Sequence, residues 1–205
     1  MQFTILMPAH RPQNWPIIRE RLEEQEVEWC PIVDSENREA AVFEDADWIK
    51  PFVASPVMEG LDICYAKLNQ AIEAGLNPDR WYHFLCDDDL VPNWFYKSIA
   101  HHDLGAADCV VVTALRGQNQ IGPHHATTLL ADPDNMQPGR VTLSQLIVHG
   151  SALSDLRFDS KYSCADGLFA ENLVHNWPAF RFDFHPYENV YFNALQPGRW
   201  NNQPQ

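Results

Sequence analysis

The stretch Trp81-Tyr82-His83-Phe84-Leu85-Cys86-Asp87-Asp88-Asp89 runs an apolar segment straight into three consecutive carboxylates. Its first six residues read as a buried strand. Side chains alternate along a strand, so Asp87 and Asp89 are expected on one side of its end and Asp88 on the other. In open α/β sheets ligands bind beyond the carboxyl ends of the strands, which is where this cluster falls. Two carboxylates converging there repel each other unless a cation joins them, and Mg²⁺ or Mn²⁺ is the natural partner of carboxylate and diphosphate oxygens. The competing reading is a solvated acidic turn leading into a helix at Pro92.

Upstream, Leu61 to Ala74 carries Leu61, Tyr65, Leu68 and Ile72 at three- and four-residue spacing, the period of an amphipathic helix. Gly75 stops it and Asn77-Pro78-Asp79 turns the chain. Further back, Phe3 to Met7 reads as a buried first strand closed by Pro8, followed by a helix from about Pro16 to Gln25. A second strand spans Val27 to Val33 and a weak third lies near Trp48 to Val53. Downstream come a helix from about Pro92 to His101 and the most apolar strand, Cys109 to Val112. This alternation predicts a three-layer α/β architecture, a mostly parallel mixed sheet flanked by helices. Arg116 to Arg140 is long, polar and rich in Gly, Pro and His, the character of a functional loop. A strand around Ser144 to Gly150, a helix from about Ala165 to Asn176, and strands at Ala179–His185 and Val190–Ala194 complete the pattern. A disordered tail is expected over Asn201–Gln205.

Composition narrows the function. The 205 residues are 45% hydrophobic, enough for one sizeable core, and the net charge is −14. Such a surface repels nucleic acid and anionic lipid. The five cysteines are scattered, odd in number and never form a C-x-x-C pair, which argues against both a disulfide framework and a zinc site and fits a reducing cytosol. With no apolar run near the length of a membrane span, the expectation is a soluble cytoplasmic protein. Neither a P-loop nor G-x-G-x-x-G occurs, so neither an NTPase nor a dinucleotide enzyme is supported. An anionic substrate on so acidic a chain needs a cation at its site.

Tyr65-Ala66-Lys67-Leu68-Asn69-Gln70-Ala71-Ile72-Glu73-Ala74-Gly75, followed by Tyr82 to Asp89 and Pro92, resembles the helix–strand–DxD stretch of family 2-like glycosyltransferases with the GT-A fold. The opening Met7-Pro8-Ala9-His10-Arg11, with a second strand ending at Asp34, is similar to theirs. So are His149-Gly150-Ser151-Ala152-Leu153, Phe158-Asp159 and Ala165-Asp166-Gly167-Leu168 on the acceptor side. The resemblance spans about residues 3 to 175. Lys67 stands where Arg is common, Asp34 lacks the usual acidic-Gly-Ser turn after it, and Asp166 follows Ala rather than an acidic residue.

The resemblance implies a single GT-A-like domain over residues 1–200, with 1–115 as the nucleotide-binding half and 116–200 as the acceptor half. It implies a metal-dependent nucleotide-sugar glycosyltransferase that moves a sugar from a nucleoside diphosphate sugar donor to a carbohydrate or other hydroxyl acceptor. Asp87 and Asp89 would hold Mn²⁺ or Mg²⁺, with Asp88 beside them on the donor. Pro8, Ala9, His10 and Arg11 would line the nucleoside pocket, Asp34 would accept hydrogen bonds from the base, and Lys67 would add positive charge. A late histidine, His185, is the expected further metal ligand, with His124 and His125 as rivals. Asp166 is the candidate catalytic base, because an acceptor hydroxyl attacking the anomeric carbon must lose its proton to a carboxylate; Glu171 is a weaker choice. Trp200 is the tryptophan best placed by sequence to stack on an acceptor. Two alternatives stand beside this reading: a nucleotidyltransferase, which also uses paired aspartates and Mg²⁺, and a non-catalytic sugar-nucleotide binding protein of the same fold.

Overall fold

A computed structural model describes residues 1–35, 46–116, 128–177 and 179–196. The strands are β1 (Phe3–Pro8), β2 (Glu28–Val33), β3 (Phe52–Val53), β4 (Trp81–Phe84), β5 (Cys109–Arg116), β6 (Thr128–Leu129), β7 (Leu146–His149) and β8 (Phe182–Phe192). The helices are α1 (Trp15–Glu23), α2 (Ile63–Glu73), α3 (Phe95–Ala100) and α4 (Ala165–Asn176).

Alternation along β1 sends Phe3, Ile5 and Met7 to one face and Leu6 to the other. The first face is covered by α1 through Trp15, Ile18 and Leu22 and by α3 through Phe95, Tyr96 and Ile99. The second is covered by α2 through Leu68 and Ile72 and by α4 through Phe169 and Leu173. The protein is therefore a mixed α/β structure with helices on both faces of one sheet. α2 starts where the Asp62 carboxylate caps the N–H groups of Cys64 and Tyr65, and it ends before Gly75, whose φ of 99° suits only a residue without Cβ.

The eight strands form one sheet in the order β3-β2-β1-β4-β7-β5-β6, with β8 paired to β5. Its first half is parallel, as expected, but β7 lies antiparallel between β4 and β5, and β6 is antiparallel to β5. The sheet is thus mixed. This reversal has a consequence for the site: the carboxyl ends of β1, β2, β4 and β8 and the amino end of β7 all meet at one edge.

Several boundaries differ from the sequence reading. The third strand shrinks to Phe52–Val53, with Ile49 making a lone bridge to Trp29. β4 stops at Phe84, two residues before the expected end. The two late strands are one, β8, whose pairing to β5 jumps from Val112↔His185 to Thr113↔Asn189. Pro186 has no N–H for the ladder, and its carbonyl instead accepts a hydrogen bond from Thr113 Oγ1 at 3.1 Å. The proline that signals an end in sequence is accommodated in a bulge, so the strand continues past it. Within the long polar segment β6 and a 3₁₀ turn at Pro133–Asn135 form. His124, His125, Trp200 and the 201–205 tail lie outside the described residues. No helix among the described residues is long and apolar enough to cross a membrane.

Candidate functional site

β1 and β4 are parallel neighbours, while the chain leaves β1 toward β2 on the opposite side. The strand order therefore reverses between β1 and β4, which is the place where open α/β sheets form a ligand crevice. Pro8 closes β1 and His10 and Arg11 follow it, and the aspartates follow β4. A cavity of about 400 Å³ opens there, lined among others by His10, Arg11, Asp87, Asp88 and Asp166. A larger one of about 490 Å³ lies elsewhere, between Ile72–Pro78 and Gly150–Arg157, and holds none of the predicted site residues.

The three aspartates divide differently from the expectation. The Asp89 N–H donates to the Cys86 carbonyl at 3.1 Å, so residues 86–89 form a turn rather than a strand end. Alternation no longer governs them. Asp87 and Asp88 line the cavity, whereas Asp89 is fully buried and turned away from it. Its carboxylate accepts from Ser144 Oγ and, at 2.6 Å, from the Asn193 N–H. Burial and then repulsion from Asp88 push the Asp89 carboxyl up to about 8. Asp89 is an anchor of the turn, and the pair facing the cavity is Asp87 with Asp88.

Asp87 ties the two strand ends together. It accepts from the backbone N–H groups of His10 and Arg11 and from the Arg11 guanidinium, while Asn14 Nδ2 donates to its carbonyl at 2.8 Å. Arg11 also reaches Asp88 at 3.4 Å, and the Gln196 amide donates to that second carboxylate. Burial works against the Arg11 charge, but Asp88 and Asp87 raise its pKa on balance. The guanidinium thus bridges two carboxylates, the position a cation must fill if they are to approach each other.

Asp34 and Lys67 form a second pair next to the first. Lys67 is completely buried, and its Nζ lies 2.9 Å from both Asp34 oxygens and 3.4 Å from His10 Nδ1. Neither residue lines the cavity; they reach it through His10. With Nδ1 accepting from the ammonium, the His10 proton sits on Nε2, which is buried with no hydrogen-bond partner. Burial and the neighbouring ammonium lower the His10 pKa, which keeps the ring neutral.

Asp166, in the first turn of α4, lies on the same cavity. Its carboxylate accepts from Gly167 N–H at 2.7 Å and Leu143 N–H at 3.1 Å, with the Tyr65 hydroxyl as a further donor. Burial raises its pKa against those bonds. A Cβ on Gly167 would sit 2.4 Å from Pro138 Cα, so only glycine lets the 137–138 segment pack against the start of α4. Arg116, at the end of β5, stands over the Phe192 ring at 5.3 Å and acts on Asp166 electrostatically.

His185 is not brought to the aspartates. Its ring packs against His102, with centroids 4.2 Å apart, and its Nε2 is 2.9 Å from Asp183. The acidic turn meets the other end of β8, where Tyr191 bridges Leu90 and Asn193 holds Asp89. Strand alternation oriented His185 correctly away from Phe184 but carried no information on how far along β8 the site lies. Trp177 and Trp94 are 40% and 47% exposed and line none of these cavities; Trp15 is core.

Sequence reasoning missed Tyr65, Arg116, Ser144, Asn193 and Gln196. Tyr65 was legible only as an apolar helix position. Ser144 carries no signal at all, because its role depends on the reversed β7. It is itself held by His83, whose Nε2–H donates to the Ser144 carbonyl at 2.8 Å while Nδ1 accepts from Tyr96 at 2.7 Å. Burial lowers that histidine to about 4, so it stays neutral and keeps this tautomer.

Part of this turn could hold a metal ion. Cys86, Asp88 and Asp89 each place a ligand atom within 4.8 Å of the others, and Asp87 adds oxygens on the cavity wall. Carboxylate oxygens are the ligands that Mg²⁺ and Mn²⁺ prefer. Comparison with protein-family models and with curated proteins finds no match.

Proposed function

We propose that this protein is a divalent-metal-dependent glycosyltransferase that uses a nucleoside diphosphate sugar and a hydroxyl acceptor. The observation that carries the reading is the convergence of Asp87, Asp88, Arg11, His10 and Asp166 on one cavity at the strand-order reversal between β1 and β4. The resemblance of residues 3–175 to GT-A glycosyltransferases supports it, as does the mixed α/β fold.

Asp87 and Asp88 would hold Mn²⁺ or Mg²⁺, which would stabilise the departing nucleoside diphosphate. Arg11, already bridging these carboxylates, supplies the chain's own positive charge to the donor phosphates. The His10 Nε2–H is a spare donor at the cavity wall. Asp34, with 43% of its side chain exposed despite its tie to Lys67, remains open to the nucleobase. Asp166 takes the acceptor proton as the hydroxyl oxygen bonds to the anomeric carbon and the bond to diphosphate breaks. Its raised pKa makes it a stronger base than an exposed carboxylate. A phosphate loop rich in Gly and Lys or Arg is missing between Pro8 and Trp15, which disfavours a nucleotidyltransferase.

Asp166→Asn separates an enzyme from a binding module. Removal of a general base costs about 10²- to 10⁴-fold in turnover. The expected result is that loss in kcat for donor turnover, with donor affinity little changed. Tight donor binding with no turnover in the parent protein against any acceptor would favour the binding module.

A further inference from the structure

We propose a second metal site, separate from the cavity, in which His102, His185 and Glu188 bind a Zn²⁺-type cation and tie the end of α3 to the bulge of β8. One ligand atom from each of the three side chains lies within 4.8 Å of the others. Two ligands held about 2.0–2.1 Å from a tetrahedral Zn²⁺ stand about 3.3 Å apart. His102 Nε2 is 3.1 Å from Glu188 Oε1, and His185 Nδ1 is 3.6 Å from Glu188 Oε2. The two imidazoles thus approach different oxygens of one carboxylate, at separations near the tetrahedral edge. The second is too long for a hydrogen bond, so a cation held between Nδ1 and the carboxylate and a direct ion pair are the two arrangements that account for this approach.

The surroundings match what an imidazole ligand requires. His185 Nε2 is 2.9 Å from the Asp183 carboxylate, which fixes the proton on Nε2 and turns the Nδ1 lone pair toward Glu188. Ser98 Oγ, from α3, donates to Glu188 Oε1 at 3.0 Å and orients the carboxylate. His185 and Glu188 are both 6% exposed, whereas the His102 side chain is 44% exposed, which gives the ion a route in and leaves room for water as fourth ligand. Two nitrogens and one oxygen select Zn²⁺ over the Mg²⁺ or Mn²⁺ suited to the carboxylate cavity. The β8 bulge has a role here, since the extra residues at Pro186–Glu188 bring Glu188 back against His185.

The test is calorimetric titration of the chelator-treated protein with ZnCl₂, alongside His102→Ala, Asp183→Asn and Asp88→Asn. A one-to-one binding phase is expected in the parent protein and in Asp88→Asn. Asp183→Asn should weaken it by about 10- to 100-fold, and His102→Ala by more. Because His102 is exposed, its variant should keep the parent circular dichroism, so a lost phase is not a lost fold. The proposal is overturned if the parent shows no such phase, which would leave these residues as an ion-paired clamp. It is equally overturned if the phase survives in His102→Ala or disappears only in Asp88→Asn.

Discussion

Asp87→Ala should destabilise the protein by about 2–4 kcal/mol, the cost of leaving two backbone N–H groups unsatisfied, with little added for the Arg11 guanidinium because that side chain is 40% exposed. Asp87 is 1% exposed and accepts from two backbone N–H groups and the Arg11 guanidinium at once. Alanine strands both N–H groups at the end of β1, and the guanidinium keeps only its longer contact to Asp88. Asp87→Asn keeps the shape but replaces one accepting oxygen with an amide donor, so it should fall between parent and alanine. Urea unfolding measures this directly: the midpoint should drop with an unchanged slope. A loss below about 1 kcal/mol, the net value of one ordinary hydrogen bond, would mean that Asp87 does not hold the β1 loop. The same change should remove donor binding, because the loop that carries His10 and Arg11 would no longer be fixed against the acidic turn.

Asp34→Ala should cost about 3 kcal/mol, at the low end for a broken buried pair because the aspartate side is itself 43% exposed. What remains is a fully buried ammonium with His10 Nδ1 as its nearby acceptor at 3.4 Å. Lys67→Met removes that charge while filling its volume, so the double variant Asp34→Ala/Lys67→Met should be more stable than Asp34→Ala alone. The double-mutant cycle isolates the pair from effects on helix α2. Equal stability of the single and double variants would show that Lys67 does not depend on Asp34. A buried lysine that serves one half-exposed carboxylate at a strand end is a costly arrangement, and it fixes the position of that carboxylate.

The sequence made the helix–strand–acidic unit legible because its signals are local. Helix α2 falls within the stretch marked by Leu61, Tyr65, Leu68 and Ile72, and Gly75 ends it as its φ requires. Asp87 and Asp166, both singled out in the sequence, line one cavity, but with Asp88 beside Asp87 in place of the expected Asp89, and the contacts of Lys67 with Asp34 and His10 carry no local signal. The division of labour among the aspartates was not legible. It turns on where β4 ends, and a shift of two residues converts an alternating strand into a turn. Ser144, Asn193 and Gln196 were hidden for a different reason: they reach the aspartates only because β7 is reversed and β8 runs on through its bulge. His185 was recognised as a metal-ligand type, but the chain packs it with His102 and Glu188 instead.

The most direct test of the cavity's role is a thermal-shift panel of UDP-, GDP-, CDP- and dTDP-sugars, each with and without Mn²⁺, on the parent protein and on Asp88→Asn. Ligands that bind only the folded state raise Tm, by about 2.7 kcal/mol of added stability at a hundredfold excess over Kd. One nucleotide family should raise the Tm of the parent only when Mn²⁺ is also present, and Asp88→Asn should lose that joint shift. A panel in which no sugar nucleotide moves Tm, or in which Asp88→Asn responds as the parent does, would contradict a metal-assisted donor site at Asp87 and Asp88.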